Sequence, residues 1–269
     1  MEQTKMNDMV PDKAQEVVEQ AREEVQRGRV PWYRSSKRTV ALIIIYFLVF
    51  VIFLALATFV HFHPILPVDI TITREFQENK SPWLENLMLA VSYLGYTAIV
   101  FVPLILLTAL AFWLVRLRLE AILIVALSLV SSVLNVIIKI IVSRPRPTAN
   151  LVDIFSKAGG QSFPSGHVMA YVAFFGLIFS LGIILFRRDR WWYYLLLIIP
   201  AFFVVMVGPS RIYLGDHWAS DVLGGYLIGG LLLGISLWIY LNLKSRGVLT
   251  TPLKPRSRQQ HHTREHEKV

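Results

Sequence analysis

The sequence predicts an all-α fold: a bundle of six transmembrane helices with a short interfacial amphipathic helix between spans one and two. Three observations predict it. Of the 269 residues, 55% are hydrophobic, and the mean hydropathy is positive. Six apolar stretches fall at roughly 39–62, 97–116, 119–142, 167–186, 191–208 and 220–243, each close to the ~20 residues that cross a bilayer core as a helix. Backbone polar groups in lipid must be paired within their own segment, so each stretch reads as a helix.

Taken in order, residues 1–38 form a cytoplasmic N-terminal segment that is partly helical. Val10, Ala14, Val17, Val18, Ala21 and Val25 make a weak stripe, and Glu23 stands four residues before Arg27. Span one has an Ala55-x-Ala57 pattern like a signal-peptidase site. Its apolar run is too long for a signal peptide and 38 residues precede it, so it reads as a retained helix. Residues 81–95 suit a helix lying in the outer interface with Trp83 as anchor. Spans two and five contain Pro103 and Pro200, tolerated in membranes as kinks. Span six carries Gly225, Gly229, Gly230 and Gly234 in a small-xxx-small spacing. Such spacing fits close helix packing, within the chain or between chains as an oligomer. The six-span domain thus covers 39–243, and 244–269 is a basic cytoplasmic tail that reads as disordered. Its His261, His262 and His266 read as solvated side chains rather than metal ligands.

The net charge is +9, and residues 1–38 and 244–269 hold 15 of the 27 Lys and Arg. A basic chain can bind nucleic acid, but charge placed beside membrane spans is the mark of an anionic leaflet. No nucleic-acid partner is expected. There is no cysteine, which excludes disulfides and thiolate metal sites. Basic residues precede span one (Arg27, Arg29, Arg34, Lys37, Arg38), fill the 2–3 and 4–5 turns (Arg116, Arg118; Arg187, Arg188, Arg190) and follow span six (Lys244, Arg246). With six spans these all lie on one side, which places both termini in the cytoplasm of a multi-pass plasma-membrane protein. The 3–4 and 5–6 loops are then external, yet carry Arg144, Arg146, Lys157 and Arg211. A few external arginines are ordinary; an anionic ligand would also explain them.

Three polar stretches fall on that external side. The first is Lys139 to Pro147, KIIVSRPRP. An ionisable residue within a span is costly unless it faces a polar cavity or snorkels to the interface. Ser128, Ser132, Asn135 and Lys139 are spaced to share one helix face, so the stripe should point into the bundle. Arg146 lies between Pro145 and Pro147, with a fork of donors suited to phosphate oxygens. The second stretch is Pro164 to His167, PSGH. Ser165 can cap the helix of span four, whose first amides are unpaired, and Gly166 allows close approach, which together suit an anion. Alone, this tetrapeptide reads better as a capped helix with an incidental histidine. The third runs from Ser210 to Asp221, SRIYLGDHWASD. Arg211 is another anion ligand. His217 and Asp221 are four apart, which on a helix puts a carboxylate beside an imidazole, fixing its tautomer. Alone, that pair reads as a helix cap. Asp216 points elsewhere on a helical reading and is set aside.

Together the three stretches resemble the signature of the type 2 phosphatidic acid phosphatase superfamily: K-x6-RP, PSGH and SR-x5-H-x3-D. Lys139, Arg146 and Pro147 fill the first motif, residues 164–167 the second, and Ser210, Arg211, His217 and Asp221 the third. The resemblance covers about 80–243. It implies a metal-independent lipid phosphatase that needs no cofactor and works through a phosphohistidine. Under it, His217 is the nucleophile, Asp221 orients it, and His167 protonates the leaving oxygen and then activates water. Lys139, Arg146, Arg211, Ser165 and the Gly166 amide hold the phosphoryl group. Substrates would be lipid phosphates or diphosphates of the undecaprenyl diphosphate, phosphatidylglycerol phosphate or phosphatidate class, met at the outer face. A phosphotransferase using the same intermediate stays open. A lipid or anion transporter is disfavoured, because polar groups gather at one rim and not at the midplane. A soluble vanadate haloperoxidase, which shares the signature, is disfavoured by the six spans.

Overall fold

The computed structural model describes residues 36–96, 98–156, 159–186, 191–246 and 248–249. The expected helix over 12–27, Lys157 and the tail histidines lie outside them. Among the described residues every regular element is helical. The chain divides into two units, 1–55 and 56–269. Helix α1, Ser36–Phe62, begins in the first and ends in the second, and its stretch Thr39–Phe62 is long and apolar enough to cross a membrane.

Within the second unit comes a helix that hydropathy did not reveal. α2, Pro67–Gln77, starts with proline, whose fixed φ suits a first turn. Its buried residues are Asp69, Thr73 and Gln77, spaced four apart, so it turns a polar face inward. The Gln77 amide donates to the carbonyls of Asp153 and Tyr213, both at 2.8 Å, and its oxygen accepts from Asp153 N.

α3, Pro82–Tyr96, covers the residues expected to form an interfacial helix, and α4, Ala98–Leu114, most of those expected to form the second span. Trp83 is exposed, while Met88, Val91 and Ser92 are buried. Ser210 Oγ donates to the Met88 carbonyl at 2.8 Å, so one face of α3 is packed on the bundle. The expected six spans resolve into five single helices of sufficient length, with a sixth only if Pro82–Gly95 and Ile99–Leu114, bent by 63°, count as one.

α5, Arg118–Val142, ends where Ser143 turns left-handed (φ 50°) and Pro145 forbids continuation. Its inward ridge differs from the expected stripe by one position: Ser131 and Asn135 are buried, whereas Ser132 is exposed. A helix turns 100° per residue, so a reading keyed on residue type accepted the wrong serine of the pair. α6 runs from Gly166 to Tyr171, widens through a π-helical turn at Val172–Gly176, and continues from Leu177 to Leu185. It is the most enclosed span, with 61% of its apolar window buried. α7, Trp191–Tyr213, runs five residues beyond the expected span and takes Ser210 and Arg211 into its last turn. α8 is Ala219–Ser245. A Cβ on Gly225 would come within 2.9 Å of Val168, and one on Gly229 within 3.2 Å of Val172. These two glycines therefore serve packing against α6 within the chain.

Candidate active site

Four helix ends converge at one end of the bundle: the C-termini of α5 and α7 and the N-termini of α6 and α8. The segment after α5 enters first. Arg146 is braced by backbone: Nε donates to the carbonyls of Gly159 (3.0 Å) and Gly160 (3.2 Å), and Nη1 to that of Asp216 (2.7 Å). The same Nη1 lies 3.3 Å from His217 Nε2. A guanidinium can only donate, so Nε2 accepts and the imidazole proton sits on Nδ1.

His217 is not on a helix, contrary to the reading of its spacing. α8 begins at Ala219, and the ring hangs from the loop before it. Asp221 reaches back instead: as the third helical residue, its Oδ2 accepts from Trp218 N at 2.9 Å, one half of a capping box. His217 Nδ1 is 3.5 Å from Asp221 Oδ2, beyond a good hydrogen bond. Ser162 closes the gap. Its Oγ donates to Asp221 Oδ2 and lies 3.3 Å from Nδ1 as acceptor. The imidazole is thus oriented with Nδ1 toward serine and carboxylate and Nε2 toward the cation.

The surroundings keep that imidazole neutral. His217 is 1% exposed. Burial, first, and then the charges of Arg146, Arg211 and Lys139 push it well below the ordinary histidine range. Lys139 projects from α5 and donates to the carbonyls of Gln161 and Ser162, just ahead of PSGH. Arg211 is buried, pairing with Asp216 at 2.8 Å and donating to Ser92 Oγ on α3. Asp216, set aside on the helical reading, belongs here: it precedes α8, so helical direction does not apply. Gly215, at φ +70°, makes the turn into this loop, and a Cβ there would stand 2.1 Å from the Asp153 carbonyl.

PSGH is held from both flanks. Ser165 N donates to the Asp221 carbonyl at 3.0 Å, and the Asn135 amide donates to the Pro164 carbonyl at 3.2 Å. The Phe163–Pro164 peptide is cis. Ser165 does occupy the cap position of α6, but its hydroxyl makes no cap bond. That Oγ is buried and has no hydrogen-bond partner among the described residues. Gly166 lies so close to α5 that a Cβ would meet Asn135 Oδ1 at 2.9 Å. The His167 ring packs against the α3 backbone, 2.8 Å from where a Cβ on Gly95 would stand. All eight predicted site residues therefore meet at one end of the bundle, around His217 and the start of α6.

Sequence reasoning missed Ser162, Asp69 and the position of Arg144. Ser162 carries no spacing signal. Arg144 stood out only as a basic residue on the external side. Its side chain is fully buried, donating to Asp221 Oδ1 and Asp69 Oδ2, both at 2.7 Å. Beside the site, a cavity of about 370 Å³ is lined by Leu89, Ser92, Tyr93, Ser156 and Leu214. Two of its hydroxyls, Ser92 and Ser156, hold Arg211 and Asp216. Among the described residues no three His, Asp or Glu side chains gather as metal ligands.

The family model described as PAP2 superfamily matches residues 119–245, which include every predicted site residue. Phosphatidylglycerophosphatase B of Bacillus subtilis (strain 168) is 31% identical over 186 residues, 68% of this chain and 88% of that protein. The chain belongs to the PAP2 superfamily. It is also similar to an undecaprenyl-diphosphatase of Sulfolobus acidocaldarius, 29% identical over 167 residues, 60% of this chain and 73% of the relative. The crystal structure of a transmembrane PAP2-type phosphatidylglycerolphosphate phosphatase from Bacillus subtilis superposes with a TM-score of 0.63 at 26% identity, covering 74% of this chain and 96% of that one. This chain is a multi-pass PAP2 membrane phosphatase, with α1–α4 lying ahead of the family's matched segment.

Proposed function

We propose that this PAP2 phosphatase hydrolyses lipid phosphates or diphosphates through a phosphohistidine at His217. The observation that carries the reading is the orientation of that ring: Nε2 unprotonated beside Arg146, Nδ1 held by Ser162 and Asp221. Nε2 attacks phosphorus as the bond to the leaving oxygen breaks, and His167 gives that oxygen its proton. Water then attacks the phosphohistidine, passing its proton to His167 and freeing Nε2. Lys139, Arg146, Arg211, the Ser165 hydroxyl and the Gly166 amide stabilise charge on the phosphoryl oxygens, the task metal ions perform in kinases. The chemistry is thus metal-independent.

The substrate class follows from the setting. A cation cluster stands beside a cavity walled mainly by Leu89, Tyr93 and Leu214, which suits an amphiphile whose tail stays in lipid. The relatives named above act on phosphatidylglycerophosphate and undecaprenyl diphosphate, and we carry that class, with phosphatidate, to this chain. Charge at the span ends supports cytoplasmic termini and a site opening at the outer face.

The test is phosphate release from defined lipid phosphates and diphosphates in detergent, with EDTA present, for the wild type and His217→Ala. The wild type should release free phosphate from lipid alone and form an acid-labile, base-stable phosphoenzyme; the variant should do neither. Turnover by His217→Ala sinks the nucleophile. Phosphate transferred only to an added acceptor would make the protein a phosphotransferase.

A further inference from the structure

Arg144 raises a physical problem. A guanidinium 2.7 Å from Asp221 opposes the carboxylate that should support His217. Charge stabilisation at the imidazole depends on the net field, and a buried one-to-one ion pair presents little of it. The second carboxylate resolves this. Asp69, from α2, takes the other arm of Arg144 at 2.7 Å, and the side chains of Arg144, Asp69 and Asp221 are 0%, 2% and 0% exposed. Two carboxylates share one guanidinium, so the cluster keeps one negative charge. Asp69 also grips the first turn of α8: its Oδ1 accepts from Ser220 N at 2.9 Å and its Oδ2 from Ser220 Oγ at 2.6 Å. Arg144 Nη1 donates to the same hydroxyl at 2.7 Å, and Nε to the Pro64 carbonyl at 2.9 Å. The start of α8, which carries Asp221 and follows directly on His217, is thereby fixed to α2.

We infer that Asp69 and Arg144 are positioning residues for the nucleophile: together they hold Asp221 in place, and Asp69 offsets Arg144 so that Asp221 still acts on His217 as an anion. Neither fills a defining position of the three sequence motifs, Arg144 standing at an unspecified position of the first, and Asp69 lies outside the family's matched segment, 119–245. The inference rests on His217 being the nucleophile. The other charged or titratable groups around that ring are Lys139 on α5, Arg146 on the following loop, His167 on α6, Arg211 on α7, and Asp216 on the turn before α8. Neither Asp69→Asn nor Arg144→Gln alters any of these side chains.

Electrostatics gives the test a sign that mere structural support lacks. Asp69→Asn removes a negative charge, leaves Arg144 less opposed and makes His217 harder to protonate. The acid limb of kcat/KM should move to lower pH. Arg144→Gln removes a positive charge and should move the limb to higher pH. Each shift should reach about half a pH unit or more, with kcat down about tenfold or more. The double variant loses one charge of each sign, so its limb should return toward wild type. Measurements use the full chain in detergent, with phosphate release from a lipid monophosphate and thermal unfolding recorded in parallel. Each single variant tests the inference independently of the other. Limbs that do not move, or that move in the same direction in both, overturn it even if activity falls. Turnover by His217→Ala in the same assay would instead overturn the reading beneath it.

Discussion

Near each end α8 is joined by an ion pair to α5 or to the segment just after it, and the two pairs, each one carboxylate with one cation, differ in what they can do. At the distal end, Glu120 on α5 accepts from Lys244 at 2.9 Å and from the Tyr240 hydroxyl at 2.7 Å, and Lys244 donates to that hydroxyl at 2.6 Å. The lysine side chain is 32% exposed, so water screens the pair. At the site end, Arg144 and Asp221 are wholly enclosed, a second carboxylate joins them, and Ser162 links Asp221 to an imidazole. The distal cluster is closed on itself and can only clamp two helices. The site cluster is left with surplus charge and an exit toward His217. An ion pair becomes chemical machinery when it is unbalanced and connected.

The sharpest way to break that comparison is to neutralise the carboxylate at each end. Asp221→Asn should lower kcat by about 10³- to 10⁴-fold, because the amide can present a donor to Nδ1 and favours the wrong tautomer. Phosphate release from a lipid monophosphate measures it, and a loss under tenfold would contradict the assigned role. The pH profile of the wild type comes next. His217 is held down by burial and three cations, so it is neutral at pH 7 and stays so as pH falls through about 6.5. The acid limb of kcat/KM, which reports the free enzyme, should therefore lie below that value. A His217-dependent limb at or above it would show that water or anions screen those cations. The smallest effect is expected at the far end. Glu120→Gln should cost about 1–3 kcal/mol of stability, seen as a lowered unfolding midpoint, with kcat within about twofold of wild type. A large loss of kcat there would mean that the clamp transmits to the site.

Much of this was legible in the sequence, for identifiable reasons. Lipid imposes helices, so apolar length alone located α1, α5, α6 and α8 closely. The eight candidate site residues, which meet at one end of the bundle, stood out against apolar sequence because phosphate chemistry demands cations, a helix start and an oriented imidazole. What escaped had polar burial in common. α2 turns Asp69, Thr73 and Gln77 inward, and its mixed sequence resembles an ordinary loop. Ser162 works through one hydroxyl that no spacing announces. The pairing of His217 with Asp221 was anticipated for an incorrect reason: a capping carboxylate reaches back to a loop residue, where helical spacing had suggested a shared face. Ser132 fell outside the ridge because its neighbour Ser131 took the buried position.

The cluster of Asp69, Arg144 and Asp221 also bears on biosynthesis. Its members are 75 and 77 residues apart, on three elements made at different times. Arg144 can meet Asp69 as soon as α5 is in place, which keeps a buried guanidinium from waiting alone in the bilayer. Asp221 and His217 arrive only with α8, the final described helix. Until that helix docks, the growing chain lacks the carboxylate that orients the proposed nucleophile, so on that reading the phosphatase stays inert while it is being made.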